Sequence, residues 1–116
     1  MQIFRTETDS IGSAEIPADA LWGIHTARAL RNFNLSGYMV NSRLIKAIAM
    51  VKKACCQANA ELNFIDKTKS EVIINACCEI ISGELVRNRG LENTFPIDAM
   101  QGGAGTSTNM NVNEVI

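Results

Sequence analysis

A mainly α-helical single domain is the fold this sequence predicts, and three observations carry it. Between Asn41 and Leu62, apolar or small residues recur at Leu44, Ile48, Val51, Cys55, Ala58 and Leu62, with spacings of 4, 3, 4, 3 and 4. That is the period of one helix face packed against a neighbour. A second helical run over residues 67–85 sets Ile73, Ile74, Cys77, Ile80, Ile81 and Leu85 on one side. The few residues between the two runs predict an antiparallel αα-hairpin.

The elements follow in order along the chain. Residues 3–17 are polar and tolerate extended backbone, and Asp9, Ser10, Ile11 and Gly12 form a turn signal. A short β-hairpin or an extended arm is expected there. Pro17, followed by Ala18, Asp19, Ala20, Leu21 and Trp22, predicts a helical turn. A short helix over residues 25–32 then stops before Ser36 and Gly37. Asn41 with Ser42 supplies a cap for the first long helix, and Asp66 supplies one for the second. Lys46, Lys52, Lys53, Gln57 and Glu61 lie largely off the apolar stripe. From Gly90 onward the chain reads as irregular, and the Phe95-Pro96 pair opposes helix.

Length and charge narrow the functional classes. A chain of 116 residues is one domain, residues 1–116, able to bury roughly 60–70% of its unfolded surface. Its 47% apolar and 20% charged residues are ordinary for a soluble globular protein. The 11 basic and 12 acidic residues are mixed along the chain, and no basic block exists to neutralise phosphates. Nucleic acid is therefore not an expected partner. The first dozen residues carry Arg5, Glu7 and Asp9 and no apolar run, so no signal peptide is expected. No window is long enough to span a bilayer, so no membrane role is expected and the location expected is cytoplasmic.

The four cysteines form two adjacent pairs, Cys55-Cys56 and Cys77-Cys78. Neighbours on a helix point about 100° apart, so neither pair makes a chelating unit. One histidine adds little toward a zinc site. Reduced cysteines used as small apolar residues are the better reading, with no metal.

The last stretch differs in kind. Gln101, Gly102, Gly103, Ala104 and Gly105 lead into Thr106, Ser107, Thr108 and Asn109, and residues 110–116 are able to begin a helix. Three glycines in four positions allow positive φ or a close backbone approach. A glycine-rich loop entering a helix start is a natural anion site, because free N–H groups point outward and the dipole favours negative charge by about 0.3–1 kcal/mol. The hydroxyls of Thr106, Ser107 and Thr108 add donors. Asn109 and Asn113 would share one helix face. Asn109, Asn111 and Asn113 are poor helix formers and cost stability unless their amides find partners. Such a broken local rule tends to mark a site. The bland reading, a capped turn, stands beside this one. A nucleotide P-loop does not, since no lysine follows the glycines. His25 reads chemically as a hydrogen-bonded structural residue before a functional one. Arg28 either pairs a carboxylate ligand or faces solvent.

Two blocks carry a resemblance. Thr8-Asp9-Ser10-Ile11-Gly12, Glu15-Ile16-Pro17-Ala18-Asp19-Ala20-Leu21-Trp22-Gly23, Thr26-Ala27-Arg28-Ala29 and Asn32-Phe33 resemble the opening of the aspartase/fumarase superfamily. Phe95-Pro96-Ile97-Asp98, followed by residues 101–115, is similar to that superfamily's first conserved block. Within it, Gly23-Ile24-His25-Thr26 and Gly103-Ala104-Gly105-Thr106-Ser107 look like the aspartase branch, since class II fumarases typically have glutamine where His25 and Ser107 stand. Asn93-Thr94 departs from the pattern, which usually has Asp-Gln before the phenylalanine.

The resemblance implies the N-terminal domain of that fold, ending in the start of a long bundle helix, within a cytoplasmic homotetramer that uses no cofactor. It implies reversible elimination of ammonia from L-aspartate to give fumarate. A base takes the proton beside one carboxylate, and negative charge grows on that carboxylate in the transition state. By position, Thr106 is expected to contact the substrate carboxylate, with Gly105, Ser107 and Thr108 beside it. Asn109 is expected to order the loop, and His25 and Arg28 are possible supporting residues. The family's catalytic serine loop, second carboxylate-binding segment and histidine-bearing segment lie downstream of this block, so no catalytic base is expected within the chain. A fumarase-type hydratase or other superfamily lyase is one alternative; a non-catalytic, self-associating helical domain is the other.

Overall fold

The computed structural model describes residues 2–116. Strands β1 (Phe4–Asp9) and β2 (Gly12–Pro17) pair antiparallel from Phe4↔Pro17 to Asp9↔Gly12, which settles the N-terminal segment as a hairpin. Asp9 closes the turn by accepting the Ile11 amide at 3.0 Å, the local side-chain bond typical of aspartate in turns. Alternation along β2 turns Ala14 and Ile16 inward, where they meet Ile24 and Ala27 in a small core flanked by Ala20 and Trp22. Ile24 and Ala27 belong to helix α1 (Ile24–Asn32), close to the expected short helix.

Helix α2 (Ser42–Glu61) and helix α3 (Lys67–Ser82) form the expected αα-hairpin. Both caps are as read from sequence: Asn41 accepts the Arg43 amide at 2.9 Å, and Asp66 accepts the Lys69 amide at 2.9 Å. The connection turns at Asn63, whose φ of 59° is left-handed, a conformation asparagine tolerates better than most residues.

Three expectations need correction. The second helix does not run over residues 67–85: it stops at Ser82, and Gly83 at φ 79° starts the separate helix α4 (Glu84–Arg89). A glycine inside a helical pattern had chain-terminating conformational freedom that the apolar spacing ignored. The region after Gly90 is not wholly irregular, because one helical turn, α5 (Leu91–Thr94), precedes Phe95.

The third correction concerns which face of α2 is buried. Ile45, Ala49 and Cys56 face the core, and Ile48 packs partly against it. Of the predicted stripe, Leu44, Val51 and Leu62 are 52%, 62% and 64% exposed, and Cys55 and Ala58 are exposed as well. Residues 44–51 hold only one charge, so a helical spacing can be drawn through more than one face. Periodicity alone does not rank those faces. On α3 the set stands: Cys77 and Ile80 are buried, and Ile73, Ile74 and Ile81 are partly so. Each cysteine pair contributes one buried member, Cys56 and Cys77, and all four thiols are free.

The main core unites Val40, Ile45, Ala49, Ile80, Phe95 and Val112. Val112 lies on the last helix, α6 (Thr106–Val115), which packs on both α1 and α2. Phe95 and Ile97 are fully buried anchors, so the chain enters the glycine-rich segment from a fixed point. Among the described residues, no helix is long and apolar enough to cross a membrane.

Candidate carboxylate-binding loop

The glycine-rich segment is held at its base by Asp98. Its carboxylate accepts the amides of Leu35, Ser36, Gly37 and Met100 at 3.1, 2.8, 3.0 and 2.7 Å, and the Ser36 hydroxyl at 2.5 Å. The Ser36 hydroxyl foremost, then the backbone amides, hold the Asp98 carboxyl well below the usual carboxylate range, against the opposing effect of burial. This one side chain ties the loop that follows α1 to the start of the glycine segment.

Gln101 fixes the other side. It donates through Nε2 to the Asp98 carbonyl at 3.0 Å and to the Thr108 hydroxyl at 2.8 Å. Its Oε1 accepts the Thr108 amide at 3.1 Å. Between Gln101 and Thr108 the chain bulges outward through Gly103 at φ 83° and Gly105 at φ 80°. Nothing lies within 4 Å of where a Cβ would sit at either position, so backbone conformation and not crowding calls for glycine.

Helix α6 begins at Thr106, earlier than residue 110, so the hydroxyl residues form its first turn instead of a loop before it. Gly105 offers no side chain to cap that turn. The Thr106 and Ser107 amides have no hydrogen-bond partner among the described residues, whereas the Thr108 amide is taken by Gln101. Thr106 is exposed, Ser107 half-buried and Thr108 buried. Two successive N–H groups and two hydroxyls therefore open outward together at a helix start. A cleft of about 350 Å³ adjoins the turn, walled by Val40, Asn41, Leu44, Ala99, Gln101, Gly103, Gly105 and Thr108; of the four candidate residues, Gly105 and Thr108 line it and Thr106 and Ser107 stand outside its wall.

The asparagines are satisfied only in part. Asn109 Oδ1 accepts from Lys52 Nζ at 2.7 Å, so α2 braces the first turn of α6. Asn111 Nδ2 donates to the Thr94 carbonyl at 3.2 Å, while its buried Oδ1 has no partner among the described residues. Asn113 makes only a long contact to Met110 Sδ at 3.6 Å.

The two supporting candidates on α1 stand elsewhere. Arg28 grips Asp9 in a two-pronged ion pair, 2.7 Å at each contact, and also donates to the Gly12 carbonyl at 3.1 Å. The Arg28 guanidinium accordingly holds the Asp9 carboxyl below its ordinary value. It staples the hairpin turn to α1. His25 is exposed, and its backbone amide, not its ring, is engaged: it donates to Glu114 Oε1 at 2.8 Å.

Sequence reasoning missed Glu114, Asp98, Gln101 and Lys52. Glu114 accepts the Gly23, His25 and Thr26 amides and the Thr26 hydroxyl, at 2.6–3.0 Å, so the N-terminus of α1 already holds an anion of the chain's own. Glu7 adds a second carboxylate there, accepting the Ile24 amide at 2.9 Å. No spacing announces a carboxylate that caps a helix 88 residues away. The Phe95-Pro96-Ile97-Asp98 sequence was a signal for Asp98, since an acid beside three core-type residues needs partners. Among the described residues, no group of three or more His, Cys, Asp or Glu side chains converges to hold a metal.

A family model described as a lyase matches residues 12–116. The chain belongs to that lyase family. Among its curated relatives are a class II fumarate hydratase of Halobacterium salinarum, 45% identical over 113 residues, and an aspartate ammonia-lyase of Pseudomonas canavaninivorans, 46% identical over 115. Each alignment covers 97% of this chain and 23% of the relative. The crystal structure of fumarate lyase:delta crystallin from Brucella melitensis superposes with a TM-score of 0.89 at 46% identity, over 97% of this chain and 25% of that one. A class II fumarase from Schistosoma mansoni gives 0.87 at 35% identity, over 97% and 23%. The aspartase/fumarase lyases read from the two sequence blocks are thus the family of this chain, and its mainly helical fold is theirs. The chain spans about a quarter of the length of the relatives it matches.

Proposed function

We propose that this chain supplies a carboxylate-binding loop to a lyase that eliminates ammonia reversibly from L-aspartate to give fumarate. One observation carries the proposal: the Thr106 and Ser107 amides are unengaged at the start of α6, between Gly105 and Thr108, which line an open cleft. Neutral N–H and O–H donors bind a carboxylate without taking part in proton transfer. They bind it more tightly as negative charge grows there during removal of the neighbouring proton. Thr106 is the principal contact, with Gly105 and Ser107 shaping the approach. Thr108 and Asn109 hold the turn, through Gln101 and Lys52 respectively. His25 and Arg28 support α1 and the hairpin.

The choice of aspartate rests on His25 and Ser107, which stand where class II fumarases typically carry glutamine. Overall identity does not discriminate, being 45% to a fumarate hydratase and 46% to an aspartate ammonia-lyase. A hydratase acting on malate is therefore the second reading. The working enzyme is a cytoplasmic homotetramer in which the base and the remaining carboxylate ligands come from other segments. The chain alone does not turn over. A third reading, a self-associating helical domain, draws on the exposed Leu44, Val51 and Leu62.

Titrating fumarate into nitrogen-labelled chain tests the loop. The Thr106 and Ser107 amide resonances should move in a saturable way and further than Thr108, and Thr106→Val should weaken the effect. Unmoved Thr106 and Ser107 resonances at saturating fumarate would sink the proposal. In a full-length enzyme carrying this segment, ammonia release from L-aspartate supports the aspartase reading, and consumption of malate instead would replace it with the hydratase.

A further inference from the structure

A second crevice lies on the other side of the first turn of α2, between that helix, the end of α3 and α4. It encloses about 200 Å³ and shares no wall residue with the cleft beside the glycine loop. Ile45, Ile80, Val86 and Leu91 line it, and Lys46 and Arg87 stand at its edge. The walls include no carboxylate.

The two cations converge on one point. A Cβ built on Gly83 would lie 3.2 Å from Lys46 Nζ and 3.7 Å from Arg87 Nη1. The two nitrogens are therefore at most about 7 Å apart, inside the ~8 Å screening length of physiological salt, so their charges repel. Neither makes an ion pair among the described residues, although Arg28, Arg5, Lys67 and Lys69 all do. Arg87 does donate to the Ser82 carbonyl at 3.2 Å. The C-terminus of α3 thus offsets part of the pair's charge, by about half a unit. The N-terminus of α2 returns the same amount with opposite sign, because its first residue, Ser42, lines the crevice. The local charge left over is close to that of the two side chains.

We infer that this crevice is a binding site for a small organic acid, with the carboxylate between Lys46 and Arg87 and a short aliphatic body against Ile45, Ile80, Val86 and Leu91. Two convergent cations without a counter-charge supply the recognition of the head group. The apolar floor selects for a tail. A volume of 200 Å³ falls below the ~300–1,000 Å³ of pockets for drug-sized ligands, which limits the occupant to a few carbons. Gly83 leaves the head-group position open, since any side chain there would occupy it.

The test follows amide resonances of nitrogen-labelled chain during separate additions of butyrate, acetate, inorganic phosphate and butylammonium at constant ionic strength. Butyrate should shift residues 42–46 and 83–87 in a saturable way, and bind more tightly than acetate by about fourfold, as expected for two additional buried methylenes only partly withdrawn from water. Butylammonium should do nothing. Lys46→Gln with Arg87→Gln should weaken butyrate by about tenfold or more, and Lys46→Arg should retain it. Phosphate binding as tightly as butyrate would remove the role of the apolar floor and overturn the inference. So would equal shifts with butylammonium, or shifts that never saturate. Should the double variant fail to fold, the wild-type comparison of butyrate with butylammonium and phosphate decides the matter alone.

Discussion

Glu114 Oε2 accepts both the Thr26 hydroxyl at 2.6 Å and the Thr26 amide at 3.0 Å, binding the last helix to the first turn of α1. The contact closes the fold: α1 carries the hairpin, and α6 carries the candidate loop. Glu114→Gln keeps the shape but removes the charge facing three amides, and it presents an NH2 group where an acceptor is needed. A loss of about 1.5–3 kcal/mol of unfolding free energy is expected. Urea titration at neutral pH measures it, and a loss under 0.5 kcal/mol would show that the contact is dispensable.

Gly23 is required by proximity. A Cβ there would lie 2.6 Å from Glu7 Oε2 and 3.1 Å from Glu114 Oε1. Its φ of −122° is ordinary, so the whole cost of Gly23→Ala comes from displacing the carboxylates. Pairing Gly23→Ala with Glu7→Gln should therefore give less than additive destabilisation, because both changes disturb the carboxylate that lies 2.6 Å from that Cβ and accepts the Ile24 amide. Additive losses in the same urea assay would refute the shared mechanism.

Asp98 makes a signed prediction for pH. Its folded-state carboxyl titrates below the ordinary value, so between that ordinary value and the lower folded one the unfolded chain holds more protons. The stability it contributes is fully present above about pH 4–5 and declines as the pH falls further. In Asp98→Asn the amide NH2 meets the donors of residues 35–37, and the variant should be less stable at neutral pH. The gap between wild type and variant should narrow on acidification below about pH 4. A gap that stays constant or widens would contradict the assignment.

Gly105 tests the loop's conformation. With φ at 80° and open space around the absent Cβ, Gly105→Ala should cost about 1–2 kcal/mol from backbone strain alone. Gly105→Asn should cost less, since asparagine tolerates that region. Thermal melts of both variants give the ranking, and equal losses would point to a contact instead of strain.

The outer face of α2 predicts association. Leu44, Val51 and Leu62 expose apolar surface along one helix, and such continuous patches mark interaction surfaces. Light scattering of the 116-residue chain should show mass rising with concentration. Val51→Glu with Leu62→Glu should lower it toward the monomer. A wild type that stays monomeric at every concentration would argue against the outer face as a contact.

Much of this was legible in order along the chain. The turn at Asp9 to Gly12, the caps at Asn41 and Asp66, the αα-hairpin and the glycine-to-helix transition each depend on residues close in sequence. The two sequence blocks pointed to the lyase family, which the family match and the shared fold bear out. The break at Gly83 was visible as a residue but outweighed by apolar spacing on both sides.

Local chemistry by itself determined where α2 and α3 begin, which residues turn the hairpin, and that hydroxyl residues suited to a helix start follow a glycine run. Only the folded chain decided that α2 buries Ile45 and Ala49 instead of Leu44 and Val51, that Arg28 answers Asp9, and that Glu114 caps α1. The reason is physical: caps and turns are closed by bonds spanning two to four residues, while the choice of a helix face and the partner of a charge depend on surfaces brought together from 19 to 91 residues away.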